Sequence, residues 1–225
     1  MSENSFFLRH TLPTYRIWLR EWTRLHGEMQ ARVFLSRIQA KYSELYARSR
    51  RYSPRVLQKL HFEKNILPAV AAYKIMLMDG QSPETALESL DIFLEATIAG
   101  QKRMYRFWGR FPFFFDVLRW ALKPMMRIQY PPAGWQTDFP ALGRDAVGLD
   151  EHSCFYLQVL NDYGLPELTR HFCRLDDILY EGVSPYIRFE RTQTLGRGGT
   201  LCDFRYYRVK MSAPIPSPSP HGGRE

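Results

Sequence analysis

The cysteines of this chain are confined to its last third, and ionisable residues accompany them. Cys154, Cys173 and Cys202 fall within a stretch of 49 residues, whereas the first 153 residues contain no cysteine. If the segment around Cys173 is helical, Asp176 shares its face at a spacing of three, and Asp203 directly follows Cys202. A thiol near a carboxylate can act as a nucleophile, an acid–base partner or a metal ligand. The alternative is that the three thiols are small apolar side chains of the core.

Two arginines in the same region could bind an anionic substrate. Segments 186–195 and 202–209 show strand periodicity, and the glycine-rich turn between them predicts an antiparallel hairpin. Arg191 and Arg205 fall on the two predicted strands, where both can face one side and clamp a carboxylate. Equally, each can pair with a neighbouring acid at the hairpin surface. The expected partner is a small molecule that carries a carboxylate.

The common cofactor signatures are absent, so the sequence identifies no cofactor. The glycines of the hairpin turn open no helix, which excludes a phosphate-binding loop and a dinucleotide fingerprint. The six histidines are scattered, with no pair four residues apart, and no metal site is predicted. The alternative function is a non-catalytic thiolate module that binds a metal or small ligand through the three cysteines, although no Cys-x-x-Cys pair supports it.

The elements that must position these residues change in character along the chain. Apolar residues recur at helical spacing through the first half. The predicted helices cover residues 15–46, 54–80 with a kink or break at Pro68, 83–100, and two pieces of 101–127 divided at Pro112. Residues 128–145 are predicted to form an ordered linker that lies over the core, because exposure of Trp135 and Phe139 to water would cost free energy. The predicted C-terminal elements are a strand at 146–149, helices at 155–163 and 166–181, and the hairpin.

These elements predict an α+β fold, with a helical N-terminal half packed against a small C-terminal α+β part that contains the hairpin. We expect a mainly helical basic region at 1–127, a cysteine-containing α+β region at 128–211 that completes the same domain, and a disordered tail at 212–225. Because a helix followed by a hairpin usually packs on it, Cys173 and Cys202 should approach each other at the mouth of a pocket.

The net charge of +8 resides in the N-terminal half, since residues 1–127 sum to +10 and residues 128–225 to −2. Dispersed arginines on amphipathic helices are typical of solvated faces, so no nucleic-acid partner is expected. A membrane-surface or polyanion role for this half is a further hypothesis. No apolar run is long enough to span a membrane, and the lack of an export signal with few cysteines predicts a cytoplasmic protein. The helix at 15–46 could pack on a second copy of the chain.

An ordered series of motifs gives the chain a resemblance to a known family. The motifs are CFY at 154–156, YGLPEL at 163–168, FCRLDD at 172–177, RTQTLGRG at 191–198 and CDFR at 202–205, with weaker matches in NILP at 65–68 and GWQTDFP at 134–140. Together they resemble the L-2-amino-thiazoline-4-carboxylic acid hydrolase family over nearly all of residues 60–210. The resemblance implies hydrolysis of a small cyclic isothiourea or amidine-like acid.

The candidate residues are compatible with that chemistry. Opening such a ring needs a nucleophile at C2, a proton donor for the leaving atom and a cation for the substrate carboxylate. Cys173 or Cys202 could attack directly, or Asp176 or Asp203 could activate water. Cys154, which directly precedes a predicted helix, is expected close to them.

Overall fold

The computed structural model describes residues 3–210, with side chains described for residues 14–210. Its N-terminal half consists of helices α1 Glu3–His26, α2 Glu28–Arg48, α3 Leu67–Met78, α4 Pro83–Trp108 and α5 Phe114–Gln129. A π-helical segment, Leu57–Ile66, runs directly into α3. Helices α6 Phe155–Asp162 and α7 Leu168–Tyr180 follow. No helix in this part of the chain is long and apolar enough to cross a membrane. The predicted tail at 212–225 lies outside the described residues.

Glycine and proline determine where the helices end. The helix predicted at 15–46 is two helices, because Gly27 between them has a φ of +84°, a left-handed conformation that glycine adopts without steric cost. Pro68 lies in the first turn of α3, where its missing N–H is tolerated, so the chain stays helical through the expected break. The division predicted at Pro112 is confirmed, since α5 begins after it, but the helix end predicted at residue 100 is wrong, because α4 continues through Gly100 to Trp108.

The larger hydrophobic core joins the helices of both halves of the chain. Trp18 of α1 stacks on Phe93 of α4 with ring centroids 4.9 Å apart. Phe155 and Val159 of α6 and Leu168 of α7 are buried in the same cluster. Since each large apolar side chain contributes about 1.5–3 kcal/mol on burial, these contacts hold α6 and α7 firmly against the N-terminal helices.

The sheet consists of β1 Thr137–Asp138, β2 Ala146–Glu151, β3 Ile187–Glu190 and β4 Cys202–Arg208. Its strand order is β1-β2-β4-β3, with every pairing antiparallel. The predicted hairpin is confirmed as the β3–β4 pair. A second core, which includes Phe115 and Leu122 of α5, packs on one face of the sheet. The molecule therefore has the α+β fold that the sequence predicts.

Candidate functional site

The register between β2 and β4 decides which of the predicted residues can meet. Glu151 lies opposite Cys202, and Leu149 lies opposite Phe204. Glu151, Cys202 and Leu149 are all buried, so these positions belong to the face that packs on the helices. Because side chains alternate along a strand, the intervening positions, which include Asp203 and Arg205, belong to the outer face.

On that outer face, Asp203 and Arg205 serve the structure of the sheet and its loop. The carboxylate of Asp203 accepts hydrogen bonds from the backbone N–H groups of Thr192 and Gln193 at 3.0 and 2.8 Å. Arg205 donates to Asp150 at 2.6 Å and to the carbonyl oxygen of Leu149 at 3.0 Å. The sheet therefore separates both side chains from the inward face that holds Cys202.

Arg191 lies on the inner side of the sheet and Arg205 on the outer side. The two guanidinium groups therefore do not face the same substrate carboxylate, contrary to the expectation from the sequence. β3 ends at Glu190, so strand alternation no longer applies at Arg191. Its guanidinium lies 5.0 Å from the centre of the Phe204 ring. It donates to the Asp176 carboxylate at 3.1 Å, to the Asp177 carboxylate at 2.5 Å and to the carbonyl oxygen of Cys173 at 2.7 Å.

Arg191 therefore links the segment after β3 to helix α7. Its side chain is only 2% exposed, and it has little free surface to offer a ligand. A buried arginine of this kind is stabilised only because carboxylates pair with it.

Asp176 is partly exposed, with 39% of its side-chain surface accessible. Desolvation raises the pKa of Asp176 to about 6, although the neighbouring Arg191 charge acts in the opposite direction. Tyr130 lies close enough to Asp176, Glu151 and Cys154 for their charges to raise its pKa, which burial raises most. We call Glu151, Cys154, Cys173, Asp176 and Cys202 the interior groups.

Each of the three thiols lies in surroundings that favour its protonated form. Burial raises the pKa of Cys154 to about 12 and that of Cys202 to about 11, and it also raises the pKa of Cys173. Donors near the sulfur atoms oppose this effect only in part. A nucleophilic cysteine needs its thiolate form, so these thiols are poorly suited to direct attack at neutral pH.

A short turn after β3 touches two of the thiols. The backbone N–H of Leu195 donates to the sulfur of Cys202 at 3.2 Å. On the other side of the turn, a Cβ atom added to Gly196 would lie 2.8 Å from the sulfur of Cys173 and 2.8 Å from a methyl carbon of Thr169. Glycine at 196 is therefore required for the turn to approach α7 this closely.

Glu151 is a functional candidate that the sequence analysis missed. Its side chain is 4% exposed, and one carboxylate oxygen accepts a hydrogen bond from the Thr137 hydroxyl at 2.8 Å. The other oxygen has no hydrogen-bond partner within the described part of the chain. Desolvation raises the pKa of Glu151 to about 7, and the charge of Asp176 adds to the effect. Such a value suits a general base or acid near neutral pH.

A surface cleft of about 460 Å³ lies directly beyond Thr137. Its lining residues come from the end of α5, the linker and β1, and they are Met126, Arg127, Tyr130, Pro132, Trp135, Gln136, Thr137, Phe139 and Ser153. Trp135 is buried, as the sequence predicts for an ordered linker over the core. Arg127 is exposed and has no ion pair among residues 14–210. The cleft thus combines an exposed cation with the Thr137 hydroxyl, which is hydrogen-bonded to Glu151.

A hydrogen-bonded chain supports the inner wall of this cleft. Nε2 of His61 is 2.7 Å from the carbonyl oxygen of Gln129, and Nδ1 is 3.2 Å from the hydroxyl of Tyr156. That hydroxyl also accepts a hydrogen bond from the Asn65 amide at 3.0 Å. Burial lowers the pKa of His61, so the ring is neutral and donates to the carbonyl through Nε2. The His61 ring packs on Trp135 at 4.8 Å, which orients this part of the wall.

The metal-binding form of the thiolate-module alternative requires a set of metal ligands, which the described part of the chain does not provide. No group of three or more His, Cys, Asp or Glu side chains in residues 14–210 is arranged to hold a metal ion.

Comparison with known proteins gives a family match over most of the chain. A family model described as L-2-amino-thiazoline-4-carboxylic acid hydrolase matches residues 60–206. No curated protein matches the chain. Among solved structures, the chain is similar to the Fe(II) unliganded H-NOX protein from K. algicida, at 10% identity and a TM-score of 0.34, with 88% of this chain and 96% of that chain covered. That score is too low to support an argument about function.

Proposed function

The chain belongs to the L-2-amino-thiazoline-4-carboxylic acid hydrolase family, and we propose that it hydrolyses a small cyclic isothiourea acid in the cleft beside Glu151. The observation that carries this proposal is the buried Glu151 carboxylate, with one unpaired oxygen and a pKa of about 7, one hydrogen bond behind the cleft wall. Burial of an ionisable group with a perturbed pKa beside a cleft is typical of a catalytic site.

The cleft offers a partner for each part of such a substrate. Arg127 is free to bind the ring carboxylate through its guanidinium. Trp135 and Phe139 provide apolar surface for the ring, and Gln136 can bind the exocyclic nitrogen through its side-chain oxygen. In this orientation C2 of the ring lies towards Thr137.

In the reaction that we propose, a water molecule in the cleft donates a proton to the Thr137 hydroxyl as its oxygen adds to C2. Thr137 passes its own hydroxyl proton to Glu151, to which it is already hydrogen-bonded. The C2–S bond then breaks as the electron pair that the addition placed on the ring nitrogen restores the C2–N double bond, and the departing sulfur takes the proton back from Glu151 by the same route. The second proton of the water moves from the new C2 hydroxyl to the ring nitrogen. One water is consumed, and the product is an acyclic ureido acid with a free thiol.

Two features support activated water over attack by a thiol. The pKa values of Cys154 and Cys202 lie near 12 and 11, so little thiolate is present near neutral pH. Asp176, the other carboxylate of the interior groups, is already bonded to Arg191. We therefore assign Asp176 and the three thiols to the shape and polarity of the interior, and Glu151 to proton transfer.

The test is hydrolysis of 2-aminothiazoline-4-carboxylate and related rings by the full chain, followed by chromatography of substrate and product. Glu151→Gln should lower kcat by about 10²–10⁴-fold, the usual contribution of a general base. Arg127→Gln should mainly raise KM. Arg205→Gln is the matched control, because its guanidinium lies on the outer face of the sheet, and it should keep the wild-type rate.

Three results would contradict the proposal in different ways. If wild type opens none of these rings, the substrate class is wrong. If Glu151→Gln keeps its rate while Cys173→Ser or Cys202→Ser loses it, a thiol and not water attacks C2. Release of ammonia in place of a free thiol would show that the exocyclic C–N bond breaks instead of the C–S bond.

A further inference from the structure

The end of α4 and the turn into α5 expose a cluster of aromatic rings. Phe107 contacts Trp108 and Phe111 with ring centroids 5.4 and 6.0 Å apart, and Phe111 stacks on Phe113 at 5.3 Å. These four side chains are between 37% and 52% exposed. Rings that contact one another are normally found in a core, so a contiguous exposed group of this size indicates a docking surface.

Helix α5 extends this cluster along one stripe. Val117, Trp120 and Ile128 follow Phe113 at helical spacing, with exposed Pro124 between the last two. Trp120 is 81% exposed and Ile128 is 73% exposed. The opposite side of α5 is the buried one, where Leu122 packs on the sheet. We call this surface the aromatic face; its members are Phe107, Trp108, Phe111, Phe113, Val117, Trp120 and Ile128.

The charges beside the aromatic face are almost all positive. Six of them, apart from Arg127 in the cleft, have no ion pair among the described residues: Lys102, Arg103, Arg106, Arg110, Arg119 and Lys123. The one acidic residue in segment 101–129 is Asp116, which is bonded to Arg208. Arg119 and Lys123 flank the stripe on α5, each one position before an exposed residue of that stripe. The surface therefore combines exposed rings with unneutralised positive charge.

Exposed rings beside unneutralised positive charge favour one kind of binding partner for the aromatic face over the others. A second copy of the chain docked face to face would bring like charges together, which disfavours association. The aliphatic Val117 and Ile128 give a nucleic acid nothing to stack on, whereas acyl chains accept them together with the rings. Helices with tryptophan and phenylalanine on one face and lysine and arginine beside it lie in the interface of anionic bilayers.

We propose that the aromatic face docks the protein on the surface of an anionic lipid bilayer, with α5 lying in the plane of the headgroups. The rings and the α5 stripe enter the boundary between headgroups and acyl chains, and the six cations bind lipid phosphates. The inference stands on this surface alone and is independent of the hydrolysis proposed above.

The test is co-sedimentation of the full chain with vesicles of phosphatidylcholine alone and vesicles that also contain phosphatidylglycerol. Wild type should bind the anionic vesicles, with weaker binding at about 1 M salt, where charges are screened within about 3 Å. Trp120→Glu should weaken binding at least tenfold. Met78→Glu, which places the same charge at another exposed apolar residue, should bind like wild type. Thermal denaturation of both variants checks that they fold.

A second measurement locates the contact. Lipids brominated near the headgroup should quench wild-type tryptophan fluorescence, and the double variant Trp108→Phe/Trp120→Phe, which keeps an aromatic ring at both positions, should lose most of that quenching while it still binds. Failure of wild type to bind anionic vesicles would overturn the proposal. It would also be overturned if light scattering found a dimer that Trp120→Glu dissociates, or if the aromatic face bound single-stranded RNA and not vesicles.

Discussion

Replacement of Glu151 by Gln should make the protein more stable above neutral pH, even as it removes the proposed base. The carboxylate is buried opposite Cys202, and one of its oxygens has no partner in the described part of the chain. Gln is close in size, carries no charge and can still accept the hydrogen bond from Thr137. The substitution therefore removes the cost of ionising a group in a poorly hydrated place and leaves the packing intact.

The magnitude follows from the pKa shift. Burial raises the pKa of Glu151 from 4.5 to about 7, and each unit corresponds to about 1.4 kcal/mol. The folded state holds this proton more tightly than the unfolded state, so wild-type stability falls as the pH rises from about 4.5 to about 7 and then levels off. The free energy of unfolding of the Glu151→Gln variant does not decrease in this way, because glutamine does not titrate. Relative to wild type it should gain about 3 kcal/mol between about pH 4 and about pH 8.

Denaturant unfolding of both proteins at several pH values measures this difference. The other titrating groups are common to the two proteins, and their contributions cancel except for that of Asp176, whose charge interacts with that of Glu151. At about pH 8 the gain corresponds to a melting temperature about 6–12 °C higher, for a chain of this length. Glu190→Gln is the matched control: Glu190 is a half-exposed partner of Arg188 on β3, and its replacement should change stability by less than about 1 kcal/mol at every pH.

A stability difference between wild type and Glu151→Gln that does not change with pH would refute the reasoning. It would mean that the Glu151 carboxylate is hydrated or paired in solution and titrates as it does in the unfolded chain. The proposed role of Glu151 as a base of near-neutral pKa would then lose its physical basis as well.

Two further predictions follow from the interior groups. Arg191→Ala should destabilise the protein by about 3 kcal/mol in denaturant unfolding, because removal of one partner leaves buried acceptors unpaired. Arg191→Lys should recover only part of this stability, since an ammonium group lacks the planar geometry of the guanidinium. A loss below about 1 kcal/mol in Arg191→Ala would contradict the proposed link to α7. The second prediction concerns the reactivity of Cys154, Cys173 and Cys202 towards a chromogenic disulfide reagent at about pH 8. They should react at least about tenfold more slowly in the native protein than in denaturant, because burial favours their thiol form. A thiol that reacts at once in the native protein would contradict the conclusion that all three are protonated.

Sequence patterns predicted the helices and the hairpin because local spacing alone determines those elements. Ile187 and Phe189 alternate with charged residues, and that alternation is enough to identify β3. The division of the long N-terminal helix at Gly27 was not predicted. Nothing in the apolar spacing of residues 15–46 requires a break, and the positive φ of Gly27 reflects the packing of α1 against α2.

The site was less predictable, because strand register is a tertiary property. The strand predicted at 146–149 ends two residues before Glu151. Had the prediction continued to residue 151, the alternation that places Leu149 on the inward face would have placed Glu151 there as well. The partner of β2 is β4, about fifty residues later in the chain, and no local pattern identifies it. For the same reason the sequence could not show that Arg205 faces outward, or that Arg191 lies beyond the last paired residue of β3.

The strand order β1-β2-β4-β3 has a consequence for how the protein is made. β4 is the last strand to be synthesised, yet it occupies the middle of the sheet, between β2 and β3. While the chain is still growing, both of those strands expose unpaired edges, which are sites of misassociation. Only the arrival of residues 202–208 closes the inward face over Glu151. A chain cut off before β4 would keep most of its helices and lose the proposed proton-transfer arrangement at Glu151, so the proposed ring-opening activity should require synthesis at least through residue 208.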